Sequence, residues 1–163
     1  MSNMNQEDFY ESLPAKRMGA GALIFNDAGQ LLLVKPHYKD YWSIPGGIVE
    51  KEESPRQACL REVEEEIGIK LESVKFLCVD WVSTKGDKNE NLQFIFYGGK
   101  LTEDQAGKIE IDDKEITEYR FMDTEKAVEL LGGPTRNLAK RLPRCLEAIE
   151  SGKSVYLEDG ILP

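Results

Sequence analysis

The chain has 163 residues, enough for one domain with a substantial core. A formal net charge of −9 and a pI near 4.8 weigh against a general binder of nucleic acid or of anionic membrane surfaces. Cys59, Cys78 and Cys145 lack motif spacing, so neither a disulfide framework nor a zinc site is expected. No apolar run is long enough to span a bilayer and no signal-peptide pattern opens the chain, so a reduced, cytoplasmic protein is the expectation.

Residues 1–14 are polar around Phe9 and Tyr10 and read as an arm or a short leading helix, with a single domain over 15–163. The apolar run 22–25 predicts a buried strand, Asn26 to Gly29 a turn, and 30–35 the return strand of a hairpin. An irregular loop follows, then Trp42-Ser43-Ile44-Pro45-Gly46-Gly47. Ser54 is a good N-cap, Pro55 suits the first helical position, Gln57 completes a capping box and Gly68 stops the helix, which predicts a helix over Pro55–Ile67. Strands are expected at 74–82, 92–97 and 115–122, with a polar loop at 85–91. Helices are expected at 124–131 and 134–149, the second kinked or divided by Pro143, and 155–157 is a candidate edge strand. Strands scattered among few helices imply an α+β or layered α/β/α fold.

The predicted helix has two faces. Leu60, Val63 and Ile67 form a narrow apolar stripe, whereas Glu62, Glu65 and Glu66 share another face. Glu64 lies about 160° round the helix from Glu62 and is expected to be solvated. Like charges at such spacings destabilise an isolated helix by a few tenths of a kcal/mol per pair. A hard divalent cation held by carboxylate oxygens would offset that cost.

Gly47, Glu53 and the run Arg61-Glu62-Val63-Glu64-Glu65-Glu66-Ile67-Gly68-Ile69 stand at fixed spacings. The stretch resembles, at every defined position, the signature box of the Nudix hydrolases, G-x5-E-x7-R-E-U-x-E-E-x-G-U with U aliphatic. A chance match has odds of roughly one in 10^5 from the residue frequencies. The Trp42 to Gly47 lead-in also looks like the family. The resemblance implies a mixed, curved sheet sandwiched between helices, and hydrolysis of a nucleoside diphosphate linked to another moiety, such as an NTP, an oxidised NTP or a nucleotide sugar. It implies Mg²⁺ or Mn²⁺ as cofactor, with Glu62, Glu65, Glu66 and the Gly46 carbonyl as ligands. Glu53 matches the first box glutamate, which supports metal binding or acts as a base, and Arg61 the arginine that orients the glutamates. Relatives often carry the catalytic base on a loop before a late strand; Glu115 is the first choice here, with Glu118 and Asp113 as alternatives. Such ions neutralise diphosphate oxygens and lower the pKa of a water.

Substrate identity is thinly encoded. The proline of ADP-ribose members and the tyrosine of dinucleoside-polyphosphate members are replaced here by Thr84, Lys85 and Gly86, and the NADH-type and coenzyme A-type motifs are absent. Trp81, Trp42, Tyr38 and Phe94 are candidates for stacking on a base. Arg17, Lys35, His37 and Lys39 are candidates for holding phosphate, Lys35 first because it ends a strand near the box. A nucleotide-sensing domain without turnover is the alternative, although a complete glutamate set weighs against it. An isoprenoid-diphosphate isomerase is a third reading, and no cysteine precedes the box as that chemistry would want. A homodimer through the strand at 74–82 or through the tail is conceivable on this pattern.

Overall fold

The computed structural model describes residues 6–38, 40–111, 114–133 and 136–163. After a short helix α1 (Gln6–Ser12), strand β1 (Arg17–Asn26) turns into β2 (Leu31–Pro36). β3 (Gly46–Ile48) then leads into α2 (Pro55–Ile67). β4 (Lys75–Val82), β5 (Asn91–Leu101), α3 (Glu103–Ala106) and β6 (Ile116–Met122) follow, and α4 (Thr124–Leu130), α5 (Asn137–Ser151) and β7 (Val155–Glu158) close the chain. The strands form one mixed sheet in the order β6-β2-β1-β5-β4-β7, with β3 paired to β1 off that path. β1 and β5 are parallel over their whole length, and β7 is parallel to β4.

Two apolar layers cover the sheet. On one face Ala58, Cys59, Val63 and Ile67 of α2 pack on Ala20, Ala22, Ile24 and Phe96. On the other, α4 and α5 supply Ala127, Leu142, Cys145 and Ala148 against Leu23, Cys78 and Ile95. The arrangement is a helix–sheet–helix sandwich, because alternate residues of each strand face opposite layers. The buried stripe of α2 is shifted from the expected one: Ala58 and Cys59 are buried beside Val63 and Ile67, and Leu60 is only half-buried.

Four local features depart from expectation. β3 pairs Gly46 with Gly21 of β1 where only a glycine loop was expected. β5 runs through Gly98 and Gly99 to Leu101, beyond the expected end at residue 97, because β5 carries Gly98 as an extra, bulged residue opposite Leu23/Ile24 and the glycine lets Ile24 approach. α3 is an extra turn with its own capping box, Thr102 with Gln105. Pro143 lies inside α5 without dividing it: burial of Ala139, Leu142, Cys145 and Ala148 on the sheet offsets the lost hydrogen bond. The expected start of this helix at Pro134 lies outside the described residues. β4 has both edges occupied, by β5 and β7, so of the two segments expected to serve an interface only the tail strand β7 offers a sheet edge.

The entry to α2 fixes the site. One edge of β1 is shared: Phe25 pairs with Leu31 of β2, while Gly19 to Gly21 pair with Ile48 to Gly46 of β3. The chain between them bridges back at Val34 and Ser43. Gly46 has φ +149°, and a Cβ there would lie 2.3 Å from the Ala20 carbonyl oxygen. Only glycine fits this crossing.

Candidate active site

The α2 caps place the acidic face with little freedom. Ser54 accepts from the Gln57 N–H, the Gln57 side chain accepts from the Ser54 N–H, and Gly68 ends the helix in the left-handed region at φ +68°. Glu62 and Glu66 then point at the end of β3. A Glu66 oxygen accepts the Gly46 N–H at 2.8 Å, and a Cβ on Gly47 would lie 2.4 Å from the Glu62 carboxylate. Glu115, in the loop before β6, joins them: oxygens of Glu62, Glu66 and Glu115 lie within 4.8 Å of one another. The loop that carries Glu115 is tied to the end of β2, where the His37 N–H donates to the Glu115 carbonyl at 2.8 Å.

Arg61 organises the rest. Its Nε and Nη2 donate to the two oxygens of Glu53 at 2.9 and 3.0 Å, and its Nη1 donates to Glu62 and Glu65 at 2.9 Å each. Nη2 also donates to the Ile48 carbonyl at 3.1 Å, joining helix, loop and β3 through one guanidinium. Glu65 is 55% exposed and stays on the rim with Arg61, whereas the Glu62 and Glu66 side chains are largely buried. Of the four residues expected to bind metal, Glu62, Glu66 and Gly46 therefore converge, Glu65 stands beside them, and Glu115 enters the cluster. Glu118 is ion-paired with Arg120, and Asp113 lies outside the described residues.

The electrostatics follow the geometry. Burial is the main reason the Glu62 carboxyl is raised above the usual carboxylate range, against the pull of Arg61, with Glu65 and Glu115 adding repulsion. Arg61 and the Glu50 N–H hold Glu53 below that range. Converging acidic oxygens, one of them disfavoured as an anion by burial, form a hard-donor set that suits Mg²⁺ or Mn²⁺.

A cavity of about 370 Å³ adjoins Gly46 and Gly47 on the α5 side of the sheet. Its lining includes Gly19, Gly21, Asn91, Gln93, Arg17, Tyr38 and Arg141. Arg17 and Tyr38 are thus the candidates for substrate contact that the structure brings to this cavity. Lys35 and Trp81 do not line it: Lys35 is paired with Glu118 across β2 and β6, and the Trp81 indole N–H donates to Glu90 at 2.9 Å. Trp42 lies under the Arg120 guanidinium, and Phe94 belongs to the α2-side layer. Lys39 is outside the described residues.

Sequence reasoning missed Arg141, Gln93 and Asn91. Arg141 is 6% exposed and Asp80, its partner, is fully buried. A signal existed: Asp80 interrupts the apolar run of β4, and Arg141 falls in the apolar stripe of α5 among Leu138, Leu142 and Cys145.

A family model described as the NUDIX domain matches residues 15–144. The chain is 31% identical over 116 residues to an RNA pyrophosphohydrolase of Hydrogenovibrio crunogenus, a match spanning 63% of this chain and 69% of that protein. It is 38% identical over 61 residues to an RNA pyrophosphohydrolase of Pseudomonas fluorescens, spanning 37% of this chain and only 38% of the relative. Among solved structures, the MutT protein from Methanosarcina mazei Go1 superposes with a TM-score of 0.64 at 23% identity, covering 88% of this chain and 100% of that one. The NUDIX domain of Shewanella oneidensis NrtR complexed with ADP ribose gives 0.69 at 14% identity, covering 90% and 99%. At these identities the structural likeness is one of fold.

Proposed function

The chain belongs to the Nudix family and is a pyrophosphohydrolase, and from that premise we propose that it hydrolyses a nucleoside diphosphate linked to a further group, with a divalent cation. The convergence of Glu62, Glu66 and Glu115 carries this reading. Glu62 and Glu66, with the Gly46 carbonyl and Glu65 at the rim, are the proposed holders of Mg²⁺ or Mn²⁺, and Glu115 stands beside them. Bound there, the ion would neutralise diphosphate oxygens and make a water more acidic.

The chain's own residues divide the remaining work. Glu115 is exposed and has no guanidinium partner among the described residues, so its carboxylate is the proposed acceptor of the proton from the attacking water. Glu53 has both oxygens taken by Arg61 and is held below the carboxylate range, which makes it a poor base and a good positioning residue. Arg61 fixes Glu62 and Glu65 relative to β3. The substrates proposed are an NTP, an oxidised NTP or a nucleotide sugar, consistent with a cavity of nucleoside size beside the carboxylates.

A nucleotide panel tests the reading, with phosphate read after phosphatase coupling in Mg²⁺, Mn²⁺ and chelator. A 5′-triphosphorylated RNA oligonucleotide belongs in it, because two relatives are named RNA pyrophosphohydrolases. Metal-dependent release from mononucleotides is expected. Tight nucleotide binding without turnover would instead favour a sensing domain, and release from RNA alone would replace the small-molecule substrate.

A further inference from the structure

Beyond the carboxylate cluster, the described residues hold a buried arginine whose outer nitrogens have no acceptor. Arg141 of α5 donates from Nε to Asp80, and Asp80 accepts the Gly160 N–H at 2.9 Å through its other oxygen. Among the described residues, neither Nη of Arg141 has a hydrogen-bond acceptor, yet the side chain is nine-tenths buried and lines the cavity beside Gly46 and Gly47. The terminal nitrogens keep accessible surface in that cavity, so the fork is presented to whatever fills it.

The surroundings say what kind of group that is. Asp80 already balances the charge of Arg141, so the buried pair is close to neutral and has little surplus attraction for a phosphate. The Asp80 contact orients Arg141 by Nε and leaves the two terminal nitrogens as a planar fork, which suits two adjacent acceptors in one plane. Asp80, Gln93 and Gly19 form one cross-strand row, and the Gln93 amide donates to the Asn91 side chain at 2.6 Å. That bond leaves the Gln93 oxygen as an acceptor and the Asn91 amide nitrogen as a donor in the lining. Gly19 keeps the row flat, since a Cβ there would lie 2.6 Å from the Gln93 oxygen. A wall that mixes donors with an acceptor fits a nucleobase edge better than an all-acceptor anion.

Building on the pyrophosphohydrolase reading, we propose that Arg141, held by Asp80, determines base specificity by donating to the O6 and N7 of a 6-oxopurine, so that guanine-type nucleotides are the preferred substrates. An adenine presents a donor where O6 would be, facing the fork with its own amino hydrogens.

The unmodified protein gives the first test. kcat/KM for GTP is expected to exceed that for ATP by roughly 10-fold or more, ITP to follow GTP, and 7-deaza-GTP, which lacks N7, to fall by roughly 10-fold. Equal values for GTP, 7-deaza-GTP and ATP would overturn the proposal while leaving the pyrophosphohydrolase reading intact. Arg141→Lys keeps the ion pair and loses the fork, so the GTP-to-ATP ratio should collapse towards one; a ratio that persists in a folded variant assigns Arg141 a structural role and ends the proposal. Where that variant fails to fold, Asp80→Asn with Arg141→Gln removes both buried charges and is read the same way. Calorimetry with GMP and AMP, without metal, separates the two readings: selective GMP binding with no hydrolysis of any nucleotide would uphold base recognition and sink the reaction, and equal binding alongside hydrolysis would do the reverse.

Discussion

Arg61 makes five hydrogen bonds from its guanidinium, to Glu53 twice, to Glu62, to Glu65 and to the Ile48 carbonyl. A lysine ammonium could not do this, because only a planar fork reaches a carboxylate bidentately while gripping a second and a third group. Arg61→Lys is expected to cut kcat by roughly 10-fold or more with a smaller change in KM, since it disorders ligands rather than the base pocket. Steady-state kinetics at saturating metal read the split, and a change confined to KM would refute it. Glu115→Gln removes the proposed proton acceptor at nearly constant shape, and kcat should drop by roughly 10². Near-normal turnover would take Glu115 out of the mechanism. Both residues could be picked out from sequence, but for different reasons. Arg61 stands one turn before Glu65 in a helix whose ends are locally coded. Glu115 is distant in sequence and comes to the cluster only because β6 pairs with β2 and the His37 N–H holds its loop.

At the scale of elements, α2 and β3 meet through two glycines with different duties. At Gly46 the added Cβ meets backbone, the Ala20 carbonyl oxygen, and φ is +149°. Gly46→Ala should therefore cost about 1–3 kcal/mol of stability, read as a lower Tm. At Gly47 the added Cβ meets the end of the Glu62 side chain, which can move. Gly47→Ala should leave Tm nearly unchanged while activity falls roughly 10-fold through displacement of a ligand. If the two variants behave alike, the assignment of separate duties fails. The bounds of α2 were legible because a capping box, an N-terminal proline and a left-handed glycine are local chemistry. β3 and the far half of β5 were not, because a glycine in sequence looks the same whether it breaks a strand or lets another backbone approach. The cavity was illegible as a whole: Gly19, Gln93 and Arg141 are brought together by strand order and by the docking of α5, which no local pattern states.

Across the whole molecule, the C-terminal turn stitches α5, β4 and the loop after it. Asp159 accepts from the Ser83 hydroxyl, the Ser83 N–H and the Asn137 amide, and lies 3.5 Å from Lys85. The Ser83 hydroxyl is the main cause that pulls its carboxyl from 3.8 down to about 2, with Asn137, the Ser83 N–H and Lys85 assisting against burial. The folded-state value is depressed, so the contribution to stability is full above the unfolded value near 4 and is lost as pH falls through about 2. Asp159→Asn keeps a residue that tolerates φ +51° and removes the charge. The stability gap between the parent and this variant, by denaturant titration, should be constant above pH 5 and shrink between about pH 4 and 2. A gap independent of pH would show that the charge does not contribute. No described helix is long and apolar enough to cross a membrane.

The Gly160 N–H, near the end of the chain, satisfies the second oxygen of the carboxylate that aims Arg141. A protein cut after Glu158 would leave a buried oxygen bare, a defect worth about 1–3 kcal/mol. The more telling symptom would be loss of aim. Freed from its backstop, Asp80 could swing with Arg141, and the truncated enzyme should become indiscriminate among bases before it becomes slow. A tag attached after Pro163 would stand three residues from Gly160, and base selectivity is expected to register it there first. Activities compared between N-terminally and C-terminally tagged protein would expose that dependence directly.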